Sequence, residues 1–306
     1  MGKTRIICET GAGQHGIATA TVCAKFNLEC IIYMGQKDID KQYPNVFFMK
    51  QMGATVIPVT QGSQSLVDAV DVALGDYISN PDSYYMLGSA VGPHPYPELM
   101  REAQSIISKE TKVQLQRQVQ KLPDYVIACI GGGSNAIGAY NEYLDNNNVN
   151  LIGIESAGLG LDVKEGHASR IASNQGSIAI MQGFKSYFLF DKEGQNINTQ
   201  SIASGLNYPG IGPIHAYLHS VNRLKIESVN NQEALNAFDI VAQSEGLIIA
   251  LESAHAVAYA LKLAPTLSKD KVVLINVSGR GDNYLFNIAQ AKGDQHFLNF
   301  CQSVGK

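Results

Sequence analysis

Four short stretches carry residue types that could do chemistry. The first is CIGGGSNAIGAY, residues 129–140, where an apolar run ends in Gly131, Gly132 and Gly133 and a helical pattern opens at Ser134 and Asn135. Consecutive glycines let backbone N–H groups approach an anion closely. A helix N-terminus adds free donors and a partial positive charge. Ser134 adds a hydroxyl. The stretch reads as a phosphate cup, although it lacks the Lys-Ser/Thr of a P-loop and the spacing of a dinucleotide fingerprint. The alternative is a glycine turn that seats a helix closely on a sheet, but packing alone does not need three glycines in a row.

The second stretch is ETGAGQHG, residues 9–16. Glu9 ends a β-rich run, so its carboxylate would face a cleft. Thr10, Gly11, Ala12, Gly13, Gln14 and His15 follow and offer backbone amides and mixed side-chain donors, which suit a small carboxylate better than a phosphate. A helix N-cap region beside a solvated Glu is an equal reading. In the third stretch, VSGRGDN at 277–283, Ser278 ends the last expected strand and could meet a heteroaromatic nitrogen. A plain turn accounts for it as well. In the fourth, GLIIALESAHA at 246–256, Glu252 and His255 open a helix after an apolar, strand-like run. An acid near a helix N-terminus is electrostatically comfortable without any function. The histidines of GPHPYP and NYPGIGPIHAY read as structural, since no spacing argues for zinc.

These stretches sit in a chain of 306 residues with net charge −4, 45% hydrophobic and 16% charged. That balance allows a sizeable core and gives no electrostatic argument for nucleic acid or an acidic membrane. No apolar run reaches the roughly 18 residues of a membrane span. The odd number and scatter of the five cysteines read as reduced thiols in a cytoplasmic protein. Short β-branched runs alternate with longer helical periods. Strands are expected at Arg5–Cys8, Glu29–Met34, Thr55–Val59, Tyr125–Ile130, Leu151–Glu155 and Val272–Val277. Helices are expected at 17–26, 44–52, 65–77, 97–119, 134–144, 212–222, 231–244, 253–263 and 284–292. Runs such as DYVIACI are apolar on both faces, as parallel strands covered by helices should be. The fold class is therefore α/β with parallel sheets. A boundary near residue 105 divides a smaller domain, 1–105, from a larger one, 106–306, and residues 158–200 read as a long glycine-rich excursion.

Seven ordered motifs, ETGAGQHG, YPNVF, MLGSAVGPHPYP, CIGGGSNAIG, GLNYPGIGPIHAYL, ALESAHA and NVSGRGD, closely resemble the tryptophan synthase β chain. The likeness covers essentially the whole chain. It implies the second fold type of pyridoxal-phosphate enzymes, with two mostly parallel sheets covered by helices. It implies β-replacement of the L-serine hydroxyl by indole, giving L-tryptophan. By the same resemblance, Gly131, Gly132, Gly133, Ser134 and Asn135 hold the cofactor phosphate and Thr10 to His15 hold the substrate carboxylate. Glu9 becomes the acid–base carboxylate, Glu252 a carboxylate beside the cofactor ring, and Ser278 the partner of the pyridine nitrogen. Carbonyls of Gly131, Tyr208 and Gly210 match a site for Na+ or K+. The implied partners are the tryptophan synthase α chain and a second β chain, in an α2β2 assembly.

The chain departs from the family in two places. The family's Schiff-base lysine lies in a His-Lys-Thr-Asn motif upstream of the position matching Met1, and no such motif occurs in these residues. The resemblance thus implies an N-terminally shortened sequence, catalytically incomplete by itself, with a non-catalytic remnant as the competing reading. Asn207 also replaces an aspartate that pairs with an arginine on closure, and Lys41 stands in that arginine's place.

Overall fold

The computed structural model describes residues 1–304. Its first part runs β1 (Arg5–Thr10), α1 (Gln14–Phe26), β2 (Glu29–Gly35), α2 (Gln36–Lys41), α3 (Tyr43–Gln51), β3 (Thr55–Val59), α4 (Leu66–Ser79) and β4 (Ser83–Tyr85). Then come α5 (Tyr96–Gln104), α6 (Ile106–Gln118), β5 (Tyr125–Cys129), α7 (Ser134–Tyr140), β6 (Asn150–Gly158), β7 (Ser177–Met181) and β8 (Phe184–Phe188). The remainder is α8 (Pro213–Ser220), β9 (Leu224–Asn230), α9 (Asn231–Glu245), α10 (Leu251–Leu263), β10 (Val273–Ile275), α11 (Leu285–Lys292) and α12 (Gln295–Val304).

Two four-stranded sheets form, in the orders β3-β2-β1-β4 and β10-β5-β6-β9, and every pairing in them is parallel. The expected α/β class holds, and the reason lies in the strands. In β1 and β2, Ile7, Ile31 and Tyr33 join the core under α4, while Ile6, Cys8, Ile32 and Met34 join the one under α1 and α3. In the second sheet, Val126, Ala128 and Ile130 pack towards α7, and Ile127, Cys129 and Ile154 towards α9 and α10. Strands that are apolar on both faces need helices on both faces.

Several elements differ from the sequence expectation. The single helix expected at 97–119 is two helices, α5 and α6, meeting at Ser105. There the Ser105 hydroxyl donates to the Glu102 carbonyl at 2.6 Å, a local bond that competes with the helical ladder. β4 and β9 complete the two sheets and were not expected. The excursion at 158–200 contains the antiparallel β7–β8 hairpin, whose Phe184 and Phe188 enter the core of the first sheet. The strand-like run before Glu252 forms no ladder; only Ile249 makes a bridge, with Arg280. No helix among the described residues is long and apolar enough to cross a membrane. All five cysteines are unpaired.

Candidate active site

β1 and β5 are inner strands of their sheets, and each ends in a glycine loop that leads into a helix. In open parallel sheets, ligands bind beyond the carboxyl ends of such strands. The two loops are built alike. Gly13 caps α1 at φ +89° and Gly133 caps α7 at φ +94°, and neither helix has a side-chain cap. Both positions lie in the left-handed region that glycine occupies freely. N–H groups at the start of each helix are thereby left to a ligand, apart from that of Gly16 in α1, which the Thr10 hydroxyl accepts.

The two loops line one cavity of about 500 Å3. It brings together Glu9, Thr10, Gly11, Ala12, Gln14 and His15 from the first loop with Gly131, Gly132, Gly133, Ser134 and Asn135 from the second. Glu252, Tyr208 and Ser278 close its far side. A Cβ built on Gly279 would lie 3.2 Å from the Gln14 amide, so the last loop abuts the first. No lysine is among the lining residues described.

Glu9 is buried, and its Oε2 has no hydrogen-bond partner. Burial pushes its carboxyl up to about 7, while the Tyr85 hydroxyl and the Glu9 and Gly88 backbone pull the other way. Thr10 holds the first loop in shape: its Oγ1 accepts the N–H of Gly13 at 3.1 Å and of Gly16 at 3.4 Å. Asn45 of α3 donates to the Ala12 carbonyl at 2.6 Å. His15 Nε2 lies 2.8 Å from the Met86 carbonyl, and burial lowers the imidazole's pKa, so the neutral ring donates there.

In the second loop, a Cβ at Gly132 would fall 1.9 Å from Ser89 Oγ, and one at Gly133 would fall 2.3 Å from the His215 ring. Asn135 is pinned from below. Its Nδ2 donates to the Cys129 carbonyl at 3.0 Å, and its Oδ1 accepts from Asn276 Nδ2 at 3.0 Å. The Ser278 N–H donates to Ser253 Oγ at 3.0 Å, which ties the loop after β10 to α10. Glu252 Oε1 accepts from the Gly205 N–H at 2.8 Å and from the Tyr284 hydroxyl. Its Oε2 is buried without a partner, and burial raises the carboxyl's pKa. A glycine cradle with no room for side chains, free N–H donors, a hydroxyl and an uncommitted carboxylate oxygen fit a phosphate with an attached polar ring.

Three further groups of residues lie around the second loop and its neighbouring turn or were expected to meet there on closure. Lys41 is exposed at the end of α2, while Asn207 Oδ1 is buried and unpartnered; no hydrogen bond joins the two. His215, read as structural, is fully buried against Gly133 with both ring nitrogens unpartnered. Burial and the positive charge of Arg170 lower its pKa to about 3, so the ring is neutral. The carbonyls of Gly131 and Tyr208, two of the three matched to a cation site, accept from the Arg170 guanidinium at 3.1 and 3.2 Å. The carbonyl of Gly210 is not among that guanidinium's acceptors; Gly210 bridges to Phe188. Sequence reasoning missed Arg170 altogether. The only available signal was an arginine among small residues, in HASRIAS, with no partner readable nearby.

This fold and cavity define an enzyme built around pyridoxal phosphate, and the sequence model of the pyridoxal-phosphate dependent enzyme family matches residues 1–279. The chain is 50% identical to the tryptophan synthase beta chain of Ruegeria pomeroyi over 96% of this chain and 70% of that one. It is likewise 50% identical to the beta chain of Vesicomyosocius okutanii, over 96% and 73%, and 49% identical to that of Nitrosomonas europaea, over 96% and 73%. A crystal structure of a hydrogen sulfide-producing enzyme superposes with TM-score 0.67 at 20% identity, over 94% of this chain and 73% of that one. That likeness bears on the fold alone. Within the pyridoxal-phosphate enzymes, the chain belongs to the tryptophan synthase β chain family.

Proposed function

We propose that the chain serves the replacement of the β-hydroxyl of L-serine by indole, releasing L-tryptophan and water, in a site that the lysine of the family's His-Lys-Thr-Asn motif would complete. The observation that carries this reading is the convergence of two anion loops and one buried, uncommitted carboxyl, Glu9, on a single cavity. The relatives' names choose the reaction among those the cavity could host. When bound, pyridoxal phosphate supplies the electron sink that lets the substrate's α- and β-carbon bonds be remade.

The chain's own residues bind, orient and move protons. Backbone N–H groups of Gly131 to Gly133, with Ser134 and Asn135, hold the phosphate. The Ser278 hydroxyl would meet the pyridine nitrogen; being neutral, it would leave that nitrogen unprotonated. The free Oε2 of Glu252 would stand beside the ring. Thr10 to His15 hold the serine carboxylate on the first loop. Glu9 then has two tasks. Its protonated form gives a proton to the departing hydroxyl as the C–O bond breaks and water leaves. Its ionised form takes the proton that indole loses as the new C–C bond forms. A carboxyl raised to about 7 supplies both forms near neutrality.

The same reading supplies an α-chain partner, a β–β contact within an α2β2 assembly, and a cytoplasmic setting. The resemblance places a monovalent cation on the Gly131, Tyr208 and Gly210 carbonyls; here the charge meeting the first two is Arg170. The test is consumption of indole that depends on both L-serine and pyridoxal phosphate, with tryptophan identified by mass. Serine breakdown without use of indole would exclude β-replacement and leave only a related eliminating activity.

A further inference from the structure

Arg170 lies in the irregular segment between β6 and β7, and its side chain is fully buried. A guanidinium carries five N–H donors; here the four on Nη1 and Nη2 are all hydrogen-bonded to carbonyls, while Nε makes a charge contact with Glu155 and no hydrogen bond. Nη1 donates to the Ala168 carbonyl at 2.5 Å and the Tyr208 carbonyl at 3.2 Å. Nη2 donates to the carbonyls of Ile130 at 3.0 Å and Gly131 at 3.1 Å. Nε lies 3.0 Å from Glu155 Oε1. The counter-charge is itself fixed, because Glu155 Oε2 accepts from Ser169 Oγ at 2.9 Å and from the N–H groups of Ile171 and Ala172 at 3.0 Å.

The four carbonyls come from three separate pieces of chain: the mouth of the glycine loop, the Arg170 segment, and the turn that carries Asn207 and Tyr208. Backbone carbonyls converging on one point are the coordination chemistry of a monovalent metal ion, whose hydration shell they replace. Burying an arginine is costly, and well-packed apolar side chains often serve stability better than a buried ion pair. The position is therefore poorly explained by packing alone.

We propose that Arg170 is a built-in cation: its guanidinium takes the place of an exchangeable monovalent ion and positions the Gly131–Asn135 loop against the Tyr208 turn. Arg170 acts through backbone and is a positioning residue. The proposal rests on the cofactor reading of the glycine loop only in the choice of one probe.

Two measurements test it. The first is thermal unfolding without added cofactor in LiCl, NaCl, KCl and CsCl at one ionic strength. The wild-type Tm is expected to be the same in all four, because an ion that bound only the native state would raise it saturably. Arg170→Ala is expected to unfold at lower temperature and to regain part of the loss, saturably, with K+ or millimolar guanidinium. The second is pyridoxal phosphate binding followed by absorbance. Wild-type affinity is expected to be indifferent to the ion. Arg170→Ala should lose about tenfold, the scale on which supporting contacts act on a bound group, with K+ or guanidinium restoring it and Arg170→Lys falling between. A wild-type Tm or affinity that rises saturably with one alkali ion overturns the proposal, and that arm decides even if Arg170→Ala does not fold. A folded Arg170→Ala with unchanged affinity and no ion response overturns it as well. If pyridoxal phosphate does not bind the wild type, the cofactor reading fails and the unfolding series still tests Arg170.

Discussion

Glu252 Oε1 accepts the Gly205 N–H at 2.8 Å, so a carboxylate in the first turn of α10 holds the turn just ahead of Asn207 and Tyr208. The same oxygen accepts the Tyr284 hydroxyl, and only Oε2 is left for the cavity. One residue thus ties two loops together and presents one free acceptor. Glu252→Gln keeps a carbonyl oxygen for both donors and turns an N–H2 towards the cavity. Glu252→Ala strands both donors. Each buried unpaired group costs about 1–3 kcal/mol, so Glu252→Ala is expected to lose at least about 2 kcal/mol more than Glu252→Gln in urea unfolding. Equal losses would mean that the two hydrogen bonds do not stabilise the fold.

The raised carboxyl of Glu9 has a consequence for stability as well as for rate. Its folded pKa, about 7, lies above its ordinary value of 4.5. Between those values the folded chain holds a proton that the unfolded chain has released. Stability from this group is therefore present below about pH 4.5 and is lost as pH rises through about 7. Glu9→Gln removes the penalty. It should raise Tm relative to wild type at pH 8 and leave it nearly unchanged at pH 4, with a ceiling of about 3 kcal/mol. Asp38 is also raised to about 7 by burial, so only the difference between wild type and Glu9→Gln isolates Glu9. In a chain that also carries the family's Schiff-base lysine, the same variant should keep cofactor affinity and lose about 10²–10⁴ in the rate of tryptophan formation. Near-normal turnover in Glu9→Gln would remove Glu9 from proton transfer.

What could be read from the sequence was local. Both loops announced themselves because their glycines sit directly between a strand pattern and a helical period. The inner strands β1, β2, β5 and β6 were visible because burial on both faces makes them apolar throughout. The hidden parts depend on contacts distant in sequence. The β7–β8 hairpin turns at Gln182 and Gly183, both with positive φ, the geometry in which Asn-Gly is the usual signal; a glutamine in the first place hid it. The Arg170–Glu155 pair joins β6 to an aperiodic segment, so neither residue has a local pattern that names the other. The three-residue β4 is too short to show a period and exists because β1 offers it an edge.

Lys41 and Asn207 stand apart, one exposed and the other with a buried, unpartnered oxygen. A neutral amide gives Lys41 little reason to approach. Asn207→Asp supplies the missing charge, and the resulting pair should favour the closed cavity by about 1 kcal/mol, the upper range for an accessible ion pair. A double-mutant cycle with Lys41→Met, read as serine affinity in the cofactor-loaded protein, checks this. Zero coupling would mean that closure does not bring α2 to the Asn207 turn.

The glycine loop makes a prediction that separates backbone strain from crowding. At Gly133, φ is +94° and a Cβ would sit 2.3 Å from the His215 ring, which is buried and cannot swing aside. Gly133→Ala therefore meets both a disfavoured conformation and an immovable neighbour. It should destabilise the chain by more than about 1 kcal/mol, since alanine at positive φ is costly even without a clash. At Gly132 the only severe obstacle is Ser89 Oγ, at 1.9 Å, the tip of a side chain. Gly132→Ala should cost less stability than Gly133→Ala but should weaken inorganic phosphate binding, because its methyl occupies the space through which the backbone meets the ligand. Replacing Ser89 by Ala in the same chain should recover part of the lost stability of Gly132→Ala and none of that of Gly133→Ala. Paired unfolding and phosphate titrations on the four variants would show it. If Ser89→Ala relieved both glycine variants equally, the loss at residue 133 would not lie in its backbone conformation.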